Sequence, residues 1–283
     1  MSDVRTITVL GAGTMGHGIA HAAASSGYET RLYDVSEAQL GKARAQIEGV
    51  FKKAVELGKA TAADADAGLE RLTTTSSVAE ALAGTDFVIE AAPERIDLKM
   101  ALMVDIDRHA PDAAIVATNT SALSITEMAA ASKNPARVAG MHFFNPVHRM
   151  KLVEIVRALE SGETALTAIE TVAKAMGKET VVVRESPGFI TTRVNATIGN
   201  EAFYMLMEGV ASARDIDKAL KLGLNHPMGP FELVDLVGLD TRLSILEYLH
   251  KSMGEKYRPC PLLAQYVKEG RLGRKVGRGV YDY

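Results

Sequence analysis

A short β-branched run, Thr6-Ile7-Thr8-Val9-Leu10, leads without interruption into Gly11-Ala12-Gly13-Thr14-Met15-Gly16. Thr14 to Ser26 then reads as a helix closed by Gly27, and Glu29-Thr30-Arg31-Leu32-Tyr33-Asp34 as a second strand that ends in an acid. A lone G-x-G-x-x-G recurs by chance in many chains; placed between a strand and a helix it constrains the backbone closely. Gly11 permits the tight turn, Gly13 lets a pyrophosphate approach the main chain, and Gly16 lets helix and strand pack closely, with the phosphates at the helix N-terminus. Asp34 falls roughly 20 residues after the first glycine, where a carboxylate binds the diol of an adenosine ribose. An acid there repels a 2′-phosphate. Gly11, Ala12, Gly13, Thr14, Met15, Gly16 and Asp34 therefore read as a binding site for NAD rather than NADP.

Strands and helices alternate through the first two-thirds of the chain, which predicts a parallel, doubly wound sheet of the Rossmann type. Ser36 can cap a long charged helix ending near Gly58-Lys59, longer than a crossover needs and expected to project. Ala60 to Gly68 reads as a turn or short helix, and Leu69 to Thr74 as a weak strand. Asp86 to Ala91, Ile115 to Thr118, Val138 to Phe144, Lys151 to Ala158 and Thr180 to Val183 supply the remaining strands. Beyond Ser186-Pro187-Gly188 the apolar spacing turns helical. The α/β class is thus expected over residues 1–185, and an all-α unit over 186–283.

A chain of 283 residues with 47% hydrophobic side chains can build two cored domains. Its net charge of −3 gives no electrostatic reason to expect nucleic acid or an anionic membrane, so a small-molecule partner is predicted. The single cysteine, Cys260, excludes an intramolecular disulfide framework and suits a reducing compartment. A core strand begins almost at once and no apolar run reaches the roughly 18 residues of a spanning helix, so a cytoplasmic location is expected. His17 and His21 share a helix face at i,i+4, but no third ligand follows at motif distance, and no metal site is expected.

In an open doubly wound sheet, ligands bind beyond the carboxyl ends of the strands. Asn119, Thr120 and Ser121 follow one strand there, and His142 to Pro146 end the next. Glu154 stands alone in the apolar run Leu152 to Val156. A carboxylate in a buried strand is costly unless paired, and His142 is its obvious partner. Oxidation of an alcohol needs a base whose pKa lies near the working pH, since hydride leaves carbon only as the hydroxyl proton is taken. His142 can be that base, with Glu154 holding its tautomer, or a satisfied structural histidine. Ser121 and Asn145 can add hydrogen bonds to a substrate oxygen or to the nicotinamide ribose.

Taken together, several ordered segments carry a family resemblance: Gly11 to Gly16, Glu90-Ala91-Ala92-Pro93-Glu94, Asn119-Thr120-Ser121, His142 to Pro146, Pro187-Gly188-Phe189, His226 to Glu232, Gly238-Leu239-Asp240 and Gly277 to Tyr281. The chain resembles the L-3-hydroxyacyl-CoA dehydrogenases over its whole length, most of all the bacterial members acting on 3-hydroxybutyryl-CoA. The resemblance implies His142 as base, Glu154 as its partner, and Ser121 as a hydroxyl near substrate and cofactor. It also implies Glu94, Lys99, Asn145 and Lys275 around the NAD. Where many members carry an asparagine that contacts the substrate carbonyl, this chain has Thr192, with Asn195 three residues on; either could serve. The long helix would lie over the CoA moiety, offering Lys52, Lys53 and Lys59, besides Lys42 and Arg44, to its phosphates. The helical unit is implied to form a homodimer interface, in keeping with apolar surplus in Phe189 to Met207 and Gly229 to Val237.

The activity implied is NAD-dependent interconversion of an (S)-3-hydroxyacyl-CoA and the 3-ketoacyl-CoA. Two alternatives stay open: a dehydrogenase of a free hydroxy acid or sugar acid, and an NAD-binding protein without catalysis.

Overall fold

The computed structural model describes residues 4–283. Two compact units divide the chain, residues 1–185 and 186–283. The first is built on eight strands: β1 (Thr6–Leu10), β2 (Glu29–Tyr33), β3 (Leu72–Thr75), β4 (Phe87–Glu90), β5 (Ile115–Thr118), β6 (Val138–Phe143), β7 (Leu152–Arg157) and β8 (Glu179–Arg184). They form one sheet in the order β3-β2-β1-β4-β5-β6-β7-β8. Helices α1 (Gly16–Ser25), α2 (Glu37–Glu56), α3 (Ala62–Glu70), α4 (Val78–Leu82), α5 (Ile96–His109), α6 (Ile125–Ala129) and α7 (Glu163–Ala175) connect them. The central strands are apolar on both faces, as a covered parallel sheet requires: every residue of β4, β5 and β6 is buried.

The strands from β3 across to β6 run parallel, but β6 and β7 pair antiparallel, with His142 opposite Glu154. The expectation of a parallel sheet is therefore corrected at this edge, where β8 follows β7 in the reversed direction. The reason is the connection. Only residues 144–151 join β6 to β7, and a parallel return needs a crossover of a dozen or more residues. The weak strand expected over Leu69 to Thr74 begins later, because Leu69 and Glu70 belong to α3. That helix is fixed by a capping box in which Thr61 and Asp64 satisfy each other's backbone N–H groups. Ser36 caps α2 by accepting from the Gln39 N–H, as its position in the sequence suggested.

The second unit holds α8 (Thr191–Met207), α9 (Ala213–Gly223), α10 (Pro230–Val237), α11 (Leu239–Met253) and α12 (Pro261–Lys268) around Phe203, Phe231, Leu246, Leu249 and the buried Cys260. Two carboxylates tie its C-terminal tail down. Asp235 accepts from the Val280 and Tyr281 N–H groups at 2.8 and 2.9 Å, and Asp217 accepts from the Tyr281 hydroxyl at 2.8 Å. The tail thus takes its hydrogen bonds chiefly from side chains and isolated bridges.

Candidate active site

The glycine turn is built for a ligand with phosphates. Gly11 has φ +105°, and a Cβ there would lie 2.7 Å from the Ala91 carbonyl oxygen. A Cβ on Gly16 would fall 1.7 Å from the Gly11 carbonyl oxygen, so α1 can rest on β1 only with glycine at that position. Gly13, by contrast, has nothing within 4 Å of where a Cβ would stand, which leaves its main chain open to approach. No side chain caps α1 and its first turn holds no acid, so its N–H groups and positive dipole end remain for an anion. Asp34, at the end of β2, accepts from the Ala12 N–H at 2.9 Å and the Ser36 N–H at 3.0 Å, and its remaining lone pairs can take a ribose diol. These residues fit a dinucleotide with an unphosphorylated ribose.

At the carboxyl ends of β4 and β5, acids organise the next loops. Glu90 and Lys99 form an ion pair sealed from water, Nζ lying 2.8 and 2.9 Å from the two carboxylate oxygens. Glu90 also accepts from the Thr118 hydroxyl at 2.6 Å and the Ala92 N–H at 2.7 Å. Lys99 donates further to the Ala92 carbonyl and stands 3.5 Å from Glu94. Glu94 in turn accepts from the Thr120 hydroxyl and the Ser121 and Ala122 N–H groups, at 2.6, 2.9 and 3.2 Å. Of the residues that the resemblance implies around NAD, Lys99 is thus buried and committed to carboxylates, and Glu94 holds the loop that carries Ser121. Asn119 accepts from the Phe143 N–H at 2.8 Å, fastening that loop to the end of β6.

There His142 meets Glu154. Nδ1 and Oε2 are 2.8 Å apart, with both side chains buried and facing one another across the β6–β7 ladder. The Phe144 ring packs on the imidazole at 4.5 Å. A carboxylate at Nδ1 fixes the tautomer, makes Nε2 the basic nitrogen and stabilises the imidazolium that forms when a proton arrives. Asn145 is exposed just past the strand.

The remaining candidates lie elsewhere. Lys52, Lys53 and Lys59 are exposed on or after the last turn of α2, and Lys53 is 3.0 Å from Glu56. In the second unit, Thr192 and Asn195 are half-buried on the first turn and a half of α8, and Lys275 reaches both oxygens of Asp240 at 2.6 Å. Sequence reasoning placed Asn119 beyond the strand end without giving it a role, and did not single out Glu90, although both stand in segments that carry the resemblance. A carboxylate closing a buried apolar strand, with a lysine nine residues on, is the signal that finds the first of them.

Residues 6–186 match the 3-hydroxyacyl-CoA dehydrogenase NAD binding domain, and residues 188–283 the 3-hydroxyacyl-CoA dehydrogenase C-terminal domain. The chain belongs to the 3-hydroxyacyl-CoA dehydrogenase family. The family's members are NAD-binding oxidoreductases, and the chain shares their two-part organisation. It is 45% identical to a probable 3-hydroxybutyryl-CoA dehydrogenase of Bacillus subtilis, over 99% of this chain and 98% of that one. It is 42% identical to the 3-hydroxybutyryl-CoA dehydrogenase of Bradyrhizobium diazoefficiens, over 99% and 96%. The crystal structure of (S)-3-hydroxybutyryl-CoA dehydrogenase from Ralstonia eutropha superposes with a TM-score of 0.95 at 43% identity, covering 99% of both chains.

Proposed function

We propose that this family member interconverts (S)-3-hydroxybutyryl-CoA and acetoacetyl-CoA, with His142 Nε2 as the base that takes the hydroxyl proton during oxidation. The observation that carries the reading is the buried His142–Glu154 pair at the carboxyl edge of the sheet, 2.8 Å apart. Bound NAD supplies the hydride acceptor for oxidation and, reduced, the donor for the reverse reaction. The chain's own residues do the rest. Gly11 to Gly16 and Asp34 hold the dinucleotide, with Glu94, Asn145 and Lys275 as further contacts. Lys99 acts by fixing Glu90 and Glu94. Ser121 donates to the substrate oxygen from a loop that Glu94 and Asn119 hold in place. Thr192 or Asn195, on one face of α8, polarises the thioester carbonyl. Glu154 stabilises the imidazolium, so the proton that leaves substrate has a prepared destination.

Acyl-CoA as substrate rests on the names of the relatives and on the cationic end of α2, where Lys52, Lys53 and Lys59 can meet phosphates. The second unit displays Ile190, Val194, Met207, Leu236 and Val237 as exposed apolar side chains, which supports a homodimer through that unit. No helix among the described residues is long and apolar enough to cross a membrane. Cytoplasmic residence belongs to the same proposal and is supported by the buried, unbridged Cys260.

The test is the loss of NADH absorbance with acetoacetyl-CoA, with free acetoacetate as the control. Turnover of the thioester alone is the expected result. Turnover of the free acid would replace the reading with a hydroxy-acid dehydrogenase, and turnover of neither would refute catalysis on this substrate class.

A further inference from the structure

One cluster of titratable side chains in the first unit takes no part in the chemistry above. His17 and His21 stand one turn apart on α1. The His21 ring packs against Phe51 of α2 with centroids 4.4 Å apart, and meets the His148 ring edge-on at 6.5 Å. His148 lies on the connection between β6 and β7, and that connection is held from both sides. Lys178, itself buried, donates to the carbonyls of Val147 and Met150 at 2.5 and 2.9 Å. Val147 in turn fills the notch at Gly18, where a Cβ would come within 3.0 Å of its side chain. His148 is therefore set over His21 by packing and hydrogen bonds.

The surroundings of the two rings are one-sided in charge. From α1 comes His17; from the β6–β7 connection, Arg149; from the turn before β8, Lys178; from the turn after α2, Lys59. Phe51 is the apolar contribution of α2, and α3 turns Ala65 and Gly68 inward while Asp64, Asp66 and Glu70 are exposed. Among the described residues, His21 Nδ1 is buried without a hydrogen-bond partner and Nε2 meets the Ser25 hydroxyl at 3.4 Å. Burial first, then repulsion from His148, His17 and Lys178, holds His21 down to about 4. Burial, then Arg149, Lys178, His17 and Lys59, lowers His148 as well. Burial and neighbouring cations thus both disfavour the charged form of His21 and His148, and an arriving anion would oppose the second of these effects.

We propose that His21, His148, Arg149 and Lys59 form a receiving site for a phosphate-bearing group of the substrate, and that the site takes up protons as it fills. The inference rests on the acyl-CoA reading and deepens it. His148, Arg149 and Lys59 are exposed, and half-buried His21 meets the His148 ring edge-on. The chemistry selects phosphate over a single carboxylate, because two fixed cations and two imidazoles that can charge exceed what one carboxylate neutralises. Its place selects the substrate as the source, because the connection that carries His148 starts two residues beyond His142. The base and the phosphate clamp thereby share one short stretch of chain. Protonation of an imidazole strengthens its bond to the phosphate, so affinity rises as pH falls from 8 to 6.5.

The test compares acetoacetyl-CoA with acetoacetyl-N-acetylcysteamine, which carries the same thioester and no phosphate, in the full-length wild type and in His148→Gln and His21→Gln. The ratio of the two kcat/KM values is expected to rise between pH 8 and 6.5, by about tenfold for each pKa unit that the phosphate restores to an imidazole. In both variants the ratio is expected to be smaller and its pH slope flatter. Calorimetry of CoA binding in buffers of different ionisation heat is expected to show proton uptake in wild type and less in His148→Gln. Inorganic phosphate as a competitor separates the sources. Inhibition confined to the CoA thioester supports the substrate's phosphate, and equal inhibition of both substrates overturns it in favour of a separate phosphate site. Unchanged ratios in the variants, or CoA binding without proton uptake, overturn the proposal. Failure of turnover with either thioester refutes the proposed activity instead, and the calorimetry still decides the site.

Discussion

Replacing Lys99 by Met isolates the part of the site that acts through structure. Lys99 and Glu90 are 1% and 0% exposed, and Nζ bonds both carboxylate oxygens at 2.8 and 2.9 Å. In Lys99→Met, Glu90 keeps the Thr118 hydroxyl and the Ala92 N–H but loses its only buried counter-charge. An uncompensated buried carboxylate costs about 3–5 kcal/mol, which for a unit of this size lowers the melting temperature by roughly 10 °C. Glu90→Gln keeps the shape and leaves Lys99 with Glu94, 3.5 Å away, as its counter-charge, so it should cost less, about 1–3 kcal/mol. The double variant then has no unpaired carboxylate, so its loss should fall short of the sum of the two singles by about 2 kcal/mol. Urea denaturation followed by circular dichroism, on wild type and the three variants, supplies all four values. A Lys99→Met loss under about 1 kcal/mol, or strict additivity, would refute the reading of this pair as a sealed ion pair. Because Lys99 also stands 3.5 Å from Glu94, which accepts from the Ser121 N–H, Lys99→Met should raise the KM for NADH as well.

Glu154→Gln keeps a hydrogen-bonding group at Nδ1 of His142 but removes the charge that stabilises imidazolium; kcat/KM should fall by about 10²–10⁴, read as NADH consumption with acetoacetyl-CoA. Asp34→Ala should weaken NADH binding by about 1.5–3 kcal/mol and narrow the preference over NADPH, measured by cofactor fluorescence titration. His21 gives a pH signature. Its folded pKa, about 4, lies below the ordinary 6.5, so the unfolded chain binds the proton more readily and stability is lost as pH falls from 6.5 toward 4. The loss is at most about 3 kcal/mol, and denaturation of His21→Gln across that range should show a correspondingly flatter acid limb.

The glycine turn, the strand order of appearance and the His142–Glu154 partnership were legible in the sequence because each rests on local chemistry. A strand running into glycines leaves few backbone choices, and a lone carboxylate in an apolar strand demands a partner. The direction of β7 was less legible, since Leu152 to Arg157 has the same apolar pattern whichever way it runs; the eight-residue connection carried that information. Local chemistry also placed the strand after α3 too early, because Leu69 and Glu70 complete the last turn of that helix, Leu69 packing against the core. What stayed hidden was long-range pairing. Lys99 stands on a charged helix as the solvated lysines of α2 do, and only its spacing of nine residues from the carboxylate that closes β4 hints that it is sealed against Glu90. Arg242 is a second case: it reads as an ordinary helix charge, but burial lowers it to about 10 and its Nε has no hydrogen-bond partner among the described residues. Thr192 and Asn195 remain joint candidates, for they share the start of α8.

The central claim is that His142 moves the substrate proton, and the direct measurement is single-turnover oxidation of NADH by acetoacetyl-CoA in His142→Gln beside wild type. A loss of about 10²–10⁴ in the rate of that step, with NADH binding within twofold of wild type, is the predicted result. A rate within tenfold of wild type would show that another group takes the proton and would contradict the account.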